Sequence, residues 1–378
     1  VLQDRHRARA LMSAYTLRWL LLAGSVPWLA AAAACGDAGG AQARAAAPPS
    51  LETAEAEPER GLDPVVRWGR DITLEENDGV MNVMVHMALD PRGGFLVADQ
   101  AENQIRRYDR NGRLLDHFGR EGEGPGEFSV LLRALPLRTG GTVAFNAFDR
   151  GAVFDSAGRV ARTFQIPLQS LFEARLLDDT LVLLGGALPQ RTPSPDRPRL
   201  HLWNLASGKL VRSFFVPRVE GPAHRLAANT AGIVSMDVRG DTVAAAFAIS
   251  DTVYFFDLNG RALRKVPIPF RHFRPVSERR RLPGRDEGVV AARAWVGTFS
   301  FISRVVWLRD GTLLVEYQDR IGTEPHWRLL HMTARGAPLF EVVDTPRLLQ
   351  ADPATGRLYF QKPGSLTPNV WTEATLRH

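Results

Sequence analysis

The sequence predicts an all-β fold, a six-bladed β-propeller in which each blade is four antiparallel strands and the N-terminal strand closes the last blade. Three observations lead there. One stretch of about 40 residues reads as four short strands parted by tight turns, the make-up of one blade. A hairpin turn then recurs down the chain at near-constant spacing. Lastly, a strand near the start of the predicted domain lacks a partner, while the final blade lacks a strand.

The four-strand unit is ALDPRGGFLVADQAENQIRRYDRNGRLLDHF, residues 88–118. Ala88–Asp90 ends one strand, and Phe95–Ala98, Gln104–Tyr108 and Leu114–Phe118 form the next three. Between them lie Pro91-Arg92-Gly93-Gly94, Asp99–Asn103 and Asp109-Arg110-Asn111-Gly112, where Gly and Asn tolerate the positive φ of a tight hairpin. The turn before the outermost strand returns as Asn111-Gly112-Arg113, Ala157-Gly158-Arg159, Ser207-Gly208-Lys209 and Asn259-Gly260-Arg261, with glycines 46, 50 and 52 residues apart. Each follows an aromatic-bearing strand: Ile105–Tyr108, Ala152–Phe154, Leu200–Trp203 and Val253–Phe256. The fifth turn, Arg335-Gly336-Ala337, comes 76 residues after Gly260 because an Arg-rich, Pro-broken insertion at 270–293 intervenes. Blade 5 resumes with Phe299–Leu308, Thr312–Tyr317 and Trp327–Met332. Blade 6 shows only Leu348–Ala351, Arg357–Gln361 and Val370–Thr375. Val65–Leu74 supplies the missing strand, which removes two exposed sheet edges.

Gly119-Arg120-Glu121-Gly122-Glu123-Gly124-Pro125-Gly126-Glu127-Phe128 resembles the G-x-G-P-G-E-F signature of NHL-repeat propellers. Val97-Ala98-Asp99 and Asn103-Gln104-Ile105-Arg106 are similar to the same family's V-A-D and N-x-R-I line, departing at Gln104, where Arg is usual. The resemblance covers the first blade; later blades keep the period and lose the letters. It implies a six-bladed propeller and leaves activity open, because that family includes binding modules and enzymes.

Hydrophobic residues make up 45% of the 378, enough for a packed core. The formal charge of +6 shrinks when Arg5, Arg7, Arg9 and Arg18 are set apart with Asp4, leaving 43 basic and 40 acidic residues in the rest. Such a balanced surface argues against nucleic acid as a partner. Cys35 is the single cysteine, so no disulfide forms within the chain. It follows Arg18, the apolar run Trp19–Leu29 and Ala30–Ala34, which together read as an export signal over 1–35. That run is shorter than a membrane span and is broken by Pro27. Ala32-Ala33-Ala34-Cys35 resembles a bacterial lipoprotein box, which implies lipidation of Cys35; ordinary cleavage after an Ala-x-Ala site is the other reading. Residues 36–63 are rich in Ala, Gly, Pro and Glu and read as a flexible linker, with the propeller at 64–378.

Candidate chemistry lies in two places. His86, Arg133, Arg175 and Arg304 each interrupt an apolar innermost strand, and four such groups on one axis would make an anion-attracting funnel. A plainer reading has them reaching solvent at strand ends, or pairing with Glu173 and similar carboxylates. In the insertion, Arg271, His272, Arg274, Arg279, Arg280, Arg281 and Arg285 read as a docking loop for an acidic partner, or as a solvated loop of variable length. Residues 119–128 lack the Gly-Lys-Ser/Thr ending of a phosphate loop and carry three glutamates. His326 and His331 stand an odd number of residues apart on a strand and point opposite ways. No metal-ligand spacing and no Gly-x-Ser-x-Gly elbow occurs. Trp203, Trp307, Trp327 and Trp371 read as packing residues.

The expectation is therefore a binding or scaffolding module of the cell envelope. It would be a monomer without cofactor, lipid-anchored on the periplasmic or surface side and recognising a protein or glycan. The alternative is a metal-dependent hydrolase or lyase. Six-bladed calcium lactonases carry a Glu, Asn and Asp set on the axis, and this resemblance would assign Asn82 and Asp237 to such a set, with calcium bound.

Overall fold

The computed structural model describes residues 61–76, 84–147, 150–166, 168, 170–189, 196–284, 287–321, 324–362, 365 and 368–377. The expected leader, Cys35, most of the linker, Asn82 and Arg285 lie outside the described residues.

Six four-stranded antiparallel sheets form the ring. From the innermost strand outward, blade 1 is Met84–Leu89, Phe95–Asp99, Gln104–Tyr108 and Leu114–Phe118. Blade 2 is Leu131–Pro136, Thr142–Asn146, Arg150–Phe154 and Val160–Gln165. Blade 3 is Ser170–Leu176, Leu181–Ala187, Leu200–Asn204 and Lys209–Phe214. Blade 4 is Val234–Arg239, Thr242–Phe247, Thr252–Asp257 and Ala262–Pro267. Blade 5 is Phe301–Trp307, Thr312–Ile321, Glu324–Thr333 and Pro338–Thr345. Blade 6 is Leu348–Asp352, Arg357–Gln361 and Val370–Leu376, completed by Val66–Thr73 from the other end of the sequence. Leu62 is fully buried against blades 5 and 6.

Burial follows from radial position. The second strands are covered on both faces by neighbouring blades, so Phe95–Asp99 and Thr142–Asn146 are buried throughout and do not alternate. The outermost strands face solvent, and Val160–Gln165 is almost wholly exposed. The apolar clusters lie between blades rather than inside one sheet. Aromatic pairs bridge the gaps: Phe118 to Phe154 at 4.9 Å, Phe214 to Phe256 at 5.3 Å, Phe255 to Trp307 at 5.8 Å and Phe95 to Trp371 at 5.0 Å.

Most of the recurring turn glycines have a second duty beside positive φ. A Cβ on Gly260 (φ 76) would lie 2.7 Å from the Phe214 ring of the preceding blade, whereas one on Gly208 (φ 66) would meet nothing within 4 Å. Arginines stitch the same seam: Arg70, Arg162 and Arg212 in outermost strands donate to Arg110, Ala206 and Asn259 carbonyls in the next blade's outer turn. The letters of the first blade are structural too. Asp99 pairs with Arg106 at 3.2 Å with both side chains buried, and Asn103 Oδ1 accepts the Leu131 amide of blade 2 at 2.7 Å.

Among the described residues, two helices interrupt the expected blade-to-blade loops. Helix α1, Gly221–Ala231, joins blades 3 and 4, and helix α2, Gly288–Val296, ends the insertion that sequence periodicity placed at 270–293. Both join an outermost strand to the next innermost one, so they lie on the face where the innermost strands begin. Neither is long and apolar enough to cross a membrane.

Two predictions follow from this packing. Deleting residues 61–74 leaves two sheet edges unpaired and should cause aggregation or a collapsed melting transition; an unchanged melt would overturn the closure. Gly208→Ala should cost ~1 kcal/mol for its left-handed backbone alone, and Gly260→Ala at least ~1 kcal/mol more for the Phe214 clash, read by denaturant unfolding.

Candidate functional site

The innermost strands share a local irregularity. In five of the six, the register with the second strand slips between two residues that bracket one extra: Met84/His86, Leu131/Arg133, Leu171/Glu173, Ile302/Arg304 and Leu348/Gln350. Such a bulge re-aims the side chain that follows it. The result is a set of equivalent positions occupied by His86, Arg133, Glu173, Arg304 and Gln350. Blade 4 keeps an unbroken register and contributes Ser235 and Asp237. The sequence signature is an apolar residue, any residue, then a polar one, seen in Leu131-Leu132-Arg133 and Leu348-Leu349-Gln350.

These groups form one electrostatic cluster. Arg133 Nε lies 3.2 Å from Glu173 Oε1, and its other nitrogens donate to the Leu132 and Phe172 carbonyls. Arg175 Nη1 donates to the same Glu173 oxygen at 2.7 Å, and its Nε lies 3.4 Å from Asp237 Oδ1. Burial alone would raise the Glu173 carboxyl, but Arg175, Arg133, His86 and Arg304 outweigh it and hold it far below the ordinary carboxylate range. Burial, with Arg133, Arg175 and Arg304 nearby, depresses the His86 imidazole well below its usual value, so it is neutral near pH 7. Thus the structure brings His86, Arg133, Arg175 and Arg304 together, and it also pairs two of them with Glu173.

Two charged members escaped the sequence reading. Glu316 sits on the second strand of blade 5, opposite Arg304 in register. Arg347 precedes the first strand of blade 6, where it shares the field of Glu316 and Arg133. Glu173 was assigned only as a counter-charge. Glu316 and Asp237 also clip neighbouring blades together. Glu316 accepts the Leu348 amide and the Ser303 hydroxyl, and Asp237 accepts the Trp307 amide at 2.8 Å and the Val238 amide at 2.9 Å. Burial raises both carboxyls, and for Asp237 the nearby Arg175 offsets only part of that rise. Among the described residues no three of His, Cys, Asp and Glu gather as metal ligands.

The insertion is strapped down along its first half. The Arg271 amide donates to Glu341 at 2.8 Å. The Arg274 amide donates to Ser300 Oγ at 2.8 Å, and its guanidinium Nε lies 3.5 Å from Asp319. Phe270 and Phe273 stack at 4.6 Å and lean on Tyr317. Glu278 reaches helix α1, accepting the Ala223 and His224 amides at 3.0 and 2.9 Å, and these bonds pull its carboxyl down to about 2. Arg281 pairs with Glu287. Arg271, His272, Arg279, Arg280 and Arg281 are exposed. The insertion is therefore a fastened rim on the helix-bearing face, with a row of arginines turned outward. The loop 119–128 is likewise self-satisfied. Glu127 accepts the Gly124 amide at 2.8 Å, and Arg150 donates to the Gly122 and Glu123 carbonyls.

No family model matches the chain, and no curated protein matches it. Solved structures do. A member of the DUF4221 family from Bacteroides vulgatus is similar over 82% of this chain and 97% of its own, with a TM-score of 0.62 and 9% identity. A protein named as a candidate for export, from Bacteroides fragilis, is similar over 84% of this chain and 96% of its own, with a TM-score of 0.56 and 10% identity. BamB from Moraxella catarrhalis aligns over 82% of this chain at a TM-score of 0.46 and 12% identity, too loose a likeness to carry an argument. At these identities the likeness is one of fold.

The buried imidazole gives a prediction. A His86 pKa lower in the folded than in the unfolded state contributes stability above pH ~6.5 that is lost as pH falls. His201, pushed down to about 4 by burial, acts in the same sense. Asp237 and Glu316, raised, act in the opposite sense. His86→Gln should therefore flatten the loss of stability below pH ~6.5 by up to ~1.4 kcal/mol per pH unit relative to the parent, measured by denaturant unfolding at a series of pH values. Parallel curves would show that His86 titrates in the fold as it does in the unfolded chain.

Proposed function

We propose that this chain is a recognition or scaffolding module of the cell envelope: an NHL-like propeller, exported, anchored through a lipid on Cys35, and presenting one face of a rigid disc to a protein or glycan. One observation carries the reading. On the helix-bearing face the insertion between blades 4 and 5 exposes arginines, while the channel carboxylates Glu173, Asp237 and Glu316 are engaged by arginines, by a hydroxyl or by backbone amides. A face of that kind can hold an acidic partner, and its carboxylates are tied into the fold as clips between blades. The leader-like segment before Cys35 supports the address, and the Bacteroides fragilis protein of similar fold is itself named as a candidate for export.

Cell fractionation tests the anchor: Cys35→Ala should move the protein from the membrane fraction to the soluble one, and retention in the membrane would overturn the lipid reading. Metal analysis of the purified propeller separates the two classes of function, since one tightly held divalent ion per chain would favour a hydrolase or lyase. Replacing Arg279 and Arg280 with Glu should weaken cross-linking to envelope partners, and unchanged cross-linking would move the docking surface elsewhere.

A further inference from the structure

The charges of the channel do not close. Arg133 and Arg175 have Glu173 and Asp237. Two more guanidiniums, Arg304 and Arg347, both lie in the field of Glu316; Arg304 also feels Glu173, and Arg347 packs 5.6 Å over the Trp327 ring. Glu316 already takes the Leu348 amide on one oxygen and the Ser303 hydroxyl on the other. It is pinned between blades 5 and 6 and cannot swing to form a fork with either arginine. Arg304 Nε is buried without a hydrogen-bond partner, and so is Nδ1 of His86, itself only 4% exposed. Burial also lowers the Arg304 and Arg347 guanidiniums, Arg304 to about 10, the mark of cations short of counter-charge.

A fold tolerates a buried cation when something offsets it. Here four arginines converge with three carboxylates, two of which serve as backbone clips. The spare donors are planar guanidinium forks, the groups best matched to an oxyanion with two or more oxygens. Neutral His86 adds a donor that does not repel the arginines.

We propose that the axial channel binds an oxyanion, a carboxylate or phosphate group, between Arg304, Arg347 and His86. The site lies toward the helix-bearing face, because these residues fall in the first half of, or just before, their innermost strands. The proposal rests on reading the channel as a recognition site and is independent of the lipid anchor, so fractionation of Cys35→Ala and anion binding can fail separately.

The test uses the purified propeller with inorganic phosphate and succinate as probes, against chloride of equal ionic strength, followed by melting temperature and titration calorimetry. At least one probe should saturate with one site per chain and raise the melting temperature; which one does so tells phosphate from carboxylate. Arg304→Met should lose at least about tenfold in affinity, equivalent to ~1.4 kcal/mol, and should melt higher than the parent in chloride alone, because an uncompensated buried cation has gone. A purely structural arginine would instead melt lower when replaced. Arg347→Gln is the second variant, with the same expected loss of affinity, and Arg225→Ala, exposed on helix α1, should bind as the parent does. The proposal fails if neither probe saturates on the parent, or if Arg304→Met and Arg347→Gln both retain parental affinity.

Discussion

The structure depends on one pairing. Val66–Thr73 zips antiparallel against Val370–Leu376, two segments separated by nearly the whole domain. The seam is reinforced beyond its ladder. Thr372 donates to Asp71 at 2.7 Å, Lys362 pairs with Asp71 at 2.8 Å, and Arg377 donates to the Val66 carbonyl at 2.8 Å. Trp371, fully buried, carries the contact on to Phe95 of blade 1. The entropy of closing so long a loop grows only with the logarithm of its length. What closure prevents is larger: two open edges and two half-covered blade faces. The blades can be variable in sequence because each needs only to match its two neighbours.

A closed ring has a consequence at its centre. Six innermost strands must converge, and a side chain aimed at the axis meets others from across the ring. The bulges before His86, Arg133, Glu173, Arg304 and Gln350 set that aim in five blades. Polar side chains there serve two purposes at once. Asp237 and Glu316 bind amides of the next blade and thereby fix the angle between sheets. The arginines Arg133 and Arg175 in turn hold Glu173 and Asp237. Geometry and charge are therefore coupled: a carboxylate that clips two blades has no freedom to chase a guanidinium.

The fold was legible because its turns have a local cause. Gly112, Gly158, Gly208, Gly260 and Gly336 all take positive φ, and no other residue type does so cheaply, so the period shows directly in the letters. Even the closure was legible, as an orphan strand and a short blade. The helices were not. Helix α1 carries Pro222 in its first turn and buries Ala223 and Ala227 at helical spacing, but its N-terminal amides are met by Glu278, 55 residues from Ala223. No local pattern announces a cap from so far away. In the channel, His86, Arg133 and Arg304 were visible as polar breaks in apolar strands. Glu316 was not, because it lies on a second strand where burial on both faces hides the alternation. Arg347 was missed because it precedes its strand.

In the channel, buried cations outnumber the carboxylates that can pair with them. Elsewhere Arg106 is matched by Asp99, whereas Asp319 serves both Arg274 and Arg328, and buried Arg199 has Arg197 beside it. A second carboxylate beside Arg304 would restore that balance, and the innermost strands offer a place for it at Gln350, whose equivalent in blade 3 is already Glu173. The chain has a neutral amide there instead. Such local departures from self-consistency mark sites whose missing partner comes from outside the chain. The ring makes the departure stable, since neighbouring blades hold every participant in place and the mismatch cannot relax away.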